Sequence, residues 1–197
     1  MLLSILTPSI PRRHAKLAQL ARRIEPWLGH DIEWLVLVDD RPSGPKRNEM
    51  MDAAQGAYVC HIDDDDMLDE AFPEFVLPLL TGVDVVLYDA HASFNGGPQF
   101  RVHTGLDYPN EQPQHLPGGR LSDIRRRPWH WCAWRVDIAR RGRFPDKHHG
   151  AEDAIWLEQV WPLAKTCAKV DRPLFIHRYC ATDSAFDGPT SSSQSPR

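Results

Sequence analysis

Cysteine is scarce and badly spaced for metal or disulfide work. The four in this 197-residue chain stand at 60, 132, 167 and 180, with no C-x-x-C or C-x-H spacing. That pattern excludes a zinc knuckle and a disulfide framework, and it fits a reducing compartment. No stretch reaches the ~18 apolar residues of a spanning helix. The opening Met1-Leu-Leu-Ser-Ile-Leu-Thr7 is apolar but lacks the basic flank and the length of a signal segment, so it reads as a first strand and the chain as cytoplasmic. There is no internal repeat and no interdomain linker, and 197 residues suit one domain with a sizeable core. The polar tail after residue 183 is expected to be disordered.

What is present is an alternation of apolar runs and helical periodicities. Residues 2–7, 32–38 and 57–62 read as buried strands. Residues 12–28 read as a helix with Leu17, Leu20, Ala21, Ile24 and Leu28 inward and Arg13, Lys16 and Arg23 solvated, and residues 45–55 as a second helix. Residues 67–80 have helical spacing broken by Pro73 and Pro78; 83–88 is another strand. Further on, a Gly- and Pro-rich middle holds short strands near 100–103. A candidate strand at 129–134, helices at 136–141 and 152–161, and a last strand at 174–179 follow. Three βα units in succession predict an α/β fold with a mostly parallel central sheet flanked by helices, in which ligands sit beyond the carboxyl ends of the strands. Thr7-Pro8-Ser9, Asp39-Asp40 and Asp63 to Asp66 all fall at such ends.

The run Asp63, Asp64, Asp65, Asp66 is an electrostatic anomaly. Two like charges ~4 Å apart repel by ~1 kcal/mol in water and by several times more where water is scarce. Four of them at the end of a buried strand call for positive charge, and a hard divalent cation shared with a phosphate answers that need. The calcium-loop spacing is absent. Asp66 can cap a helix starting near Met67, with Asp69 at its third position. Lys46 and Arg47 open the second helix, where the dipole disfavours cations. A phosphate nearby would account for them, and so would plain solvent exposure.

Taken in order, Ser4-Ile-Leu-Thr-Pro-Ser9, Val36-Leu-Val-Asp-Asp40, Lys46-Arg-Asn48 and Ala57-Tyr-Val-Cys-His-Ile-Asp-Asp-Asp-Asp66 resemble the family 2-like glycosyltransferases with the GT-A fold. So do Phe144-Pro-Asp146 and Gly150-Ala-Glu-Asp153 on the acceptor side, and the resemblance spans roughly residues 2–180. It implies a single-domain GT-A fold over residues 1–183 and transfer of a sugar from a nucleoside-diphosphate donor, a UDP-sugar being favoured, to an acceptor hydroxyl with inversion. Thr7, Pro8, Ser9, Asp39, Asp40, Lys46, Arg47, Asp63 and Asp64 would then hold the donor. Asp65, with Asp63, would hold Mn²⁺ or Mg²⁺, and His177 is a candidate third ligand. Asp153 would be the general base and Glu152 its orienter.

The acceptor is less legible. Trp129 and Trp131 alternate as on one strand face, forming either a stacking platform or core, and His148 and His149 are further acceptor-side candidates. Arg120, Arg125, Arg126, Arg127, Arg135, Arg140, Arg141 and Arg143 face only Asp123 and Asp137 in the same stretch, a local excess of +6. This predicts either a solvated basic surface or an anionic partner, nucleic acid with a hydroxymethylated base included; a surface-glycan intermediate is the rival acceptor. Two other readings remain open: a nucleotidyltransferase, although the glycine-rich loop after the first strand is missing, and a non-catalytic nucleotide-sugar-binding module.

Overall fold

The computed structural model describes residues 1–29, 31–146 and 151–179. His148, His149 and the polar tail lie outside the described residues. The chain runs β1 (Leu3–Ser9), α1 (His14–Ile24), β2 (Ile32–Val38), α2 (Ser43–Ala53), β3 (Tyr58–His61), β4 (Met67–Leu68) and α3 (Phe72–Val76). It continues through β5 (Val85–Phe94), β6 (Phe100–Thr104), β7 (Ile124–Arg126), β8 (Ala133–Arg135), α4 (Val136–Ala139), α5 (Glu152–Val160) and β9 (Cys167–Tyr179).

The sheet order is β2-β1-β3-β8-β5-β6-β7, with β9 on the other side of β5 and β4 on β9. β1–β2, β1–β3, β5–β9 and β6–β7 are parallel; β3–β8, β8–β5, β5–β6 and β4–β9 are antiparallel. The sheet is therefore mixed, which corrects the mostly parallel expectation. The βα alternation holds only as far as β3. After it the chain leaves the parallel pattern, and β8 inserts antiparallel between β3 and β5.

The expected helix over 67–80 is the largest local correction. Met67 and Leu68 instead pair with Ile176 and Phe175, and Pro73 falls in the first turn of a helix of only five residues. Proline tolerates a first turn but not a helix interior. Asp66 consequently caps no helix, and Asp69 closes the following turn by accepting from the Ala71 N–H at 3.0 Å. The 129–134 strand also shrinks: the Cys132 N–H donates to the Trp129 carbonyl in a turn, and pairing begins at Ala133.

The core is aromatic where α5 meets the sheet. Phe144 stacks on Trp156 at 5.2 Å, and Trp134 meets Trp156 edge-on at 5.5 Å. α2 is fastened to this region. Asn48 donates to the Phe144 carbonyl and accepts from its N–H, at 2.9 and 3.0 Å. A Cβ at Gly44 would run into the Pro145 carbonyl, so only glycine permits this approach. The helix that precedes the aspartate run in sequence is thus clamped to the segment that leads to Asp153.

Candidate active site

β1, β2 and β3 end side by side, and their carboxyl ends open on one crevice. Ser9 closes β1. Its hydroxyl donates to Asp64 at 2.6 Å, and Arg13 donates to the other oxygen of Asp64 at 2.7 Å. Arg13 also reaches Asp65 at 3.2 Å, and Lys16 lies 3.6 Å from the same carboxylate. Both were expected to be solvated, and Arg23, also in that set, pairs with Glu70. The start of α1 instead turns its cations, Arg13 just before the helix and Lys16 in its first turn, onto the aspartates. Of the remaining β1 candidates, Thr7 accepts from the Trp34 indole at 2.9 Å inside the sheet, and Pro8 is buried in the strand.

The four aspartates alternate. Asp63 and Asp65 are 28% and 21% exposed, whereas the side chains of Asp64 and Asp66 are 1% exposed. Asp66 faces inward, accepting from the Arg178 N–H and lying 2.9 Å from His177 Nδ1. Burial pushes the Asp66 carboxyl up to about 6. Burial also opposes charge on His177, but the Asp66 carboxylate outweighs it and lifts the imidazole to about 9.

α2 supplies two consecutive cations that both point inward. Lys46 donates to the carbonyls of Ser9 and Asp39 at 2.6 and 2.9 Å, tying the ends of β1 and β2 together, and burial lowers its pKa. Arg47 is 3% exposed and donates to Asp63 at 2.6 Å with one nitrogen and to Asp153 with the other. One guanidinium therefore joins the aspartate run to Asp153, which lies 106 positions beyond Arg47. Burial would raise Asp63, but Arg47 holds it well below the usual carboxylate range. On Asp153 burial prevails over Arg47 and raises the pKa.

Glu152 opens α5 and Asp153 follows it in the first turn, Glu152 being near enough to Arg47 to favour its charge. His130 Nδ1 lies 3.3 Å from the second Asp153 oxygen, yet neither ring nitrogen of His130 has a hydrogen-bond partner, and burial holds the ring neutral. Asp39 is taken by Arg41, through the backbone N–H at 2.9 Å and the side chain at 2.8 Å, and Asp40 is exposed. Trp131 is buried against Phe175 at 4.7 Å, and the Arg126 guanidinium covers Trp129 at 4.1 Å. The two indoles do not form a bare platform.

The crevice thus gathers Ser9, Asp39, Lys46, Arg47, Asp63 to Asp66, Asp153 and His177. Sequence reasoning missed Arg13 as an aspartate partner, the double role of Arg47, and His130. A basic residue just after a strand end gave a signal for Arg13; nothing local marks the other two, whose partners are distant in sequence.

Among the described residues no group of three or more His, Cys, Asp or Glu is arranged to hold a metal ion. Asp63 and Asp65, the accessible pair, nevertheless suit the way Mg²⁺ is commonly held, by one or two carboxylates completed by substrate phosphates. They fit a cation that arrives with a diphosphate, not a cage of protein ligands alone.

The sequence matches no family model and no curated protein. The fold has solved counterparts. S. aureus TarS residues 1–349 in complex with UDP gives a TM-score of 0.57 at 14% identity, covering 90% of this chain and 60% of that one. The same fragment with UDP-GlcNAc gives 0.57 at 14% identity, over 90% and 58%. Longer S. aureus TarS gives 0.58 at 13% identity, over 90% and 37%. The chain thus spans at most about 60% of the length of these proteins, and the likeness shows a shared fold.

Proposed function

We propose that this chain is a nucleotide-sugar glycosyltransferase that uses a UDP-sugar and inverts the anomeric centre. The observation that carries the reading is the Arg47 bridge, which brings the aspartate run and Asp153 into one crevice. The fold adds support, since its counterpart binds UDP and UDP-GlcNAc.

In this reading Asp39 and Asp63 receive the nucleoside and Ser9 and Asp64 shape the floor beneath it. Asp63 and Asp65 would hold Mg²⁺ or Mn²⁺, which would supply neutralisation of charge on the leaving group. Asp153 accepts the proton of the acceptor hydroxyl as its oxygen bonds to the anomeric carbon. The bond to the diphosphate oxygen breaks, and the electron pair leaves with the nucleoside diphosphate. Burial of Asp153 suits this task, because a raised pKa makes a carboxylate a stronger base. Arg47 orients Asp153 and keeps it ionised until the hydroxyl arrives, and Glu152 helps hold Arg47.

Release of UDP from a panel of UDP-sugars in the presence of Mn²⁺ tests the reading. Asp153→Asn is expected to lower turnover by roughly 10²–10⁴-fold, the usual worth of a general base, while UDP still binds. The wild-type rate should fall as pH drops through the raised Asp153 pKa, and chelation of the metal should abolish transfer. Full activity of Asp153→Asn, or release of pyrophosphate instead of UDP, would sink it.

A further inference from the structure

A cavity of ≈ 90 Å³ lies beside the crevice, between one face of β5, β6 and β7 and the loop at Glu111, Gln112 and Pro113. Its walls are apolar (Ala90, Ala92, Phe100, Val102 and Ile124), and Arg126, Trp131 and His177 line it as well. Trp131 is 3% exposed, and its Nε1–H is buried with no acceptor. Arg126 is the second anomaly. Its Nε–H is buried and unpartnered, its guanidinium rests on Trp129, and no carboxylate among the described residues bonds to it. Its neighbours in sequence do have such partners, Arg125 with Glu111 at 2.7 Å and Arg127 with Glu158 at 3.3 Å. Glu111, the acid in the cavity wall, is therefore already neutralised by Arg125 through both of its oxygens. His177 Nδ1 is likewise committed to Asp66.

Two residues that line one cavity thus each carry an orphan N–H, which is costly, since a buried donor without a partner loses its hydration and gains nothing. Arg126 stays charged and presents a fork suited to two oxygens of one group. The space holds a few waters or one compact oxyanion, not a whole sugar. The Asp153 carboxylate lies near enough to favour the charge on Arg126, so the cavity adjoins the acceptor side of the crevice.

We propose that this cavity is an anchoring pocket for an anionic group, a carboxylate or a phosphate, with Arg126 and the Trp131 indole N–H as its donors. Resting on the glycosyltransferase reading, it makes the acceptor an acidic molecule, bearing a phosphate or a carboxylate, whose anion seats here while its hydroxyl faces Asp153.

The test is a ¹H–¹⁵N titration of the full chain, following the Trp131 indole signal (assigned by its loss in Trp131→Phe) and the Arg126 Nε signal (assigned by its loss in Arg126→Lys). Inorganic phosphate and glucuronate are the probes and glucose the neutral control. At least one anion should shift both signals and glucose neither; which anion binds separates phosphate from carboxylate. Arg126→Gln should weaken that anion by at least about tenfold, the worth of a charged hydrogen bond, and Trp131→Phe, which keeps the packing, by less. If neither anion moves both signals, if glucose moves them equally, or if Arg126→Gln binds as tightly, the pocket proposal fails. UDP is titrated separately. Anion shifts without UDP binding would overturn the donor reading and leave the pocket standing.

Discussion

Arg47 is the residue on which two distant carboxylates depend. Asp63 and Asp153 are each about a quarter exposed, whereas the guanidinium between them is 3% exposed. Taking away the cation leaves two like charges facing each other in a partly dry crevice. Arg47→Gln should cost about 3 kcal/mol, the low end for breaking a buried pair because water still reaches both acids. For a chain of this size that lowers Tm by roughly 6–12 °C, measurable by differential scanning calorimetry. Arg47→Lys should recover part of the loss, since it restores charge but cannot reach both acids with a planar fork. A Tm unchanged in Arg47→Gln would mean the bridge contributes nothing. The sequence placed Lys46 and Arg47 at the start of a helix and offered a phosphate or solvent as their reason. The reason found here is the strand-end carbonyls for one and two carboxylates for the other. Neither partner of Arg47 could be read locally, because a salt bridge across 106 residues leaves no periodicity in either segment.

At the scale of elements, two buried acids hold β5 to its neighbours, Asp89 to β6 and Asp84 to the entry of β9. Asp89, opposite Pro173 where the register shifts, accepts from Arg101, from the Thr104 N–H at 3.0 Å and lies 2.8 Å from His103. Proline has no N–H to give a ladder, and the register of β5 against β9 shifts beside it. Asp84 accepts the Lys165 and Thr166 N–H groups at 2.7 and 2.8 Å and pairs with Arg135, fixing the entry to β9. Burial works against ionisation of Asp84, but these donors outweigh it and its pKa is lowered from 3.8. A folded pKa below the unfolded one adds stability above 3.8 that is lost as pH falls through the folded value. Asp84→Asn should therefore lower stability at neutral pH and flatten its acid dependence below that point, as read from urea midpoints against pH. An unchanged acid limb would remove Asp84 from the account. These pairings also mark the limit of legibility. β1, β2 and β3 could be read because each is an apolar run closed by polar residues. β4 and β8 are two and three residues long, too short for any alternation to show, and β9 began seven residues before its apolar stretch at 174.

Over the whole molecule, the arginine-rich stretch is paired more than the sequence suggested. The +6 stretch from residue 120 to 143 suggested a cationic strip for a polyanion. In the fold, Arg125 pairs with Glu111, Arg127 with Glu158, Arg135 with Asp84 and Asp137, and Arg143 with Asp52. Arg140 donates to the carbonyls of Met51 and Ala54, fastening α4 to the end of α2. Arg126 is drawn into the cavity beside the crevice. Of the eight, Arg120 and Arg141 are exposed with no acid partner among the described residues. The segment's charge thus serves to hold α2, β5 and α5 to the acceptor half, and a molecule of net charge −4 keeps little free cation there. Salt dependence separates the two arrangements. Eight free arginines on DNA phosphates would give log K against log salt a slope of about −7, whereas two would give about −2. Filter binding of a short duplex across a salt series is expected to show weak affinity and the shallow slope. A steep slope would mean that the arginines abandon Glu111, Glu158 and Asp52 for phosphate, and that a nucleic-acid acceptor should be taken up in place of the small acidic one.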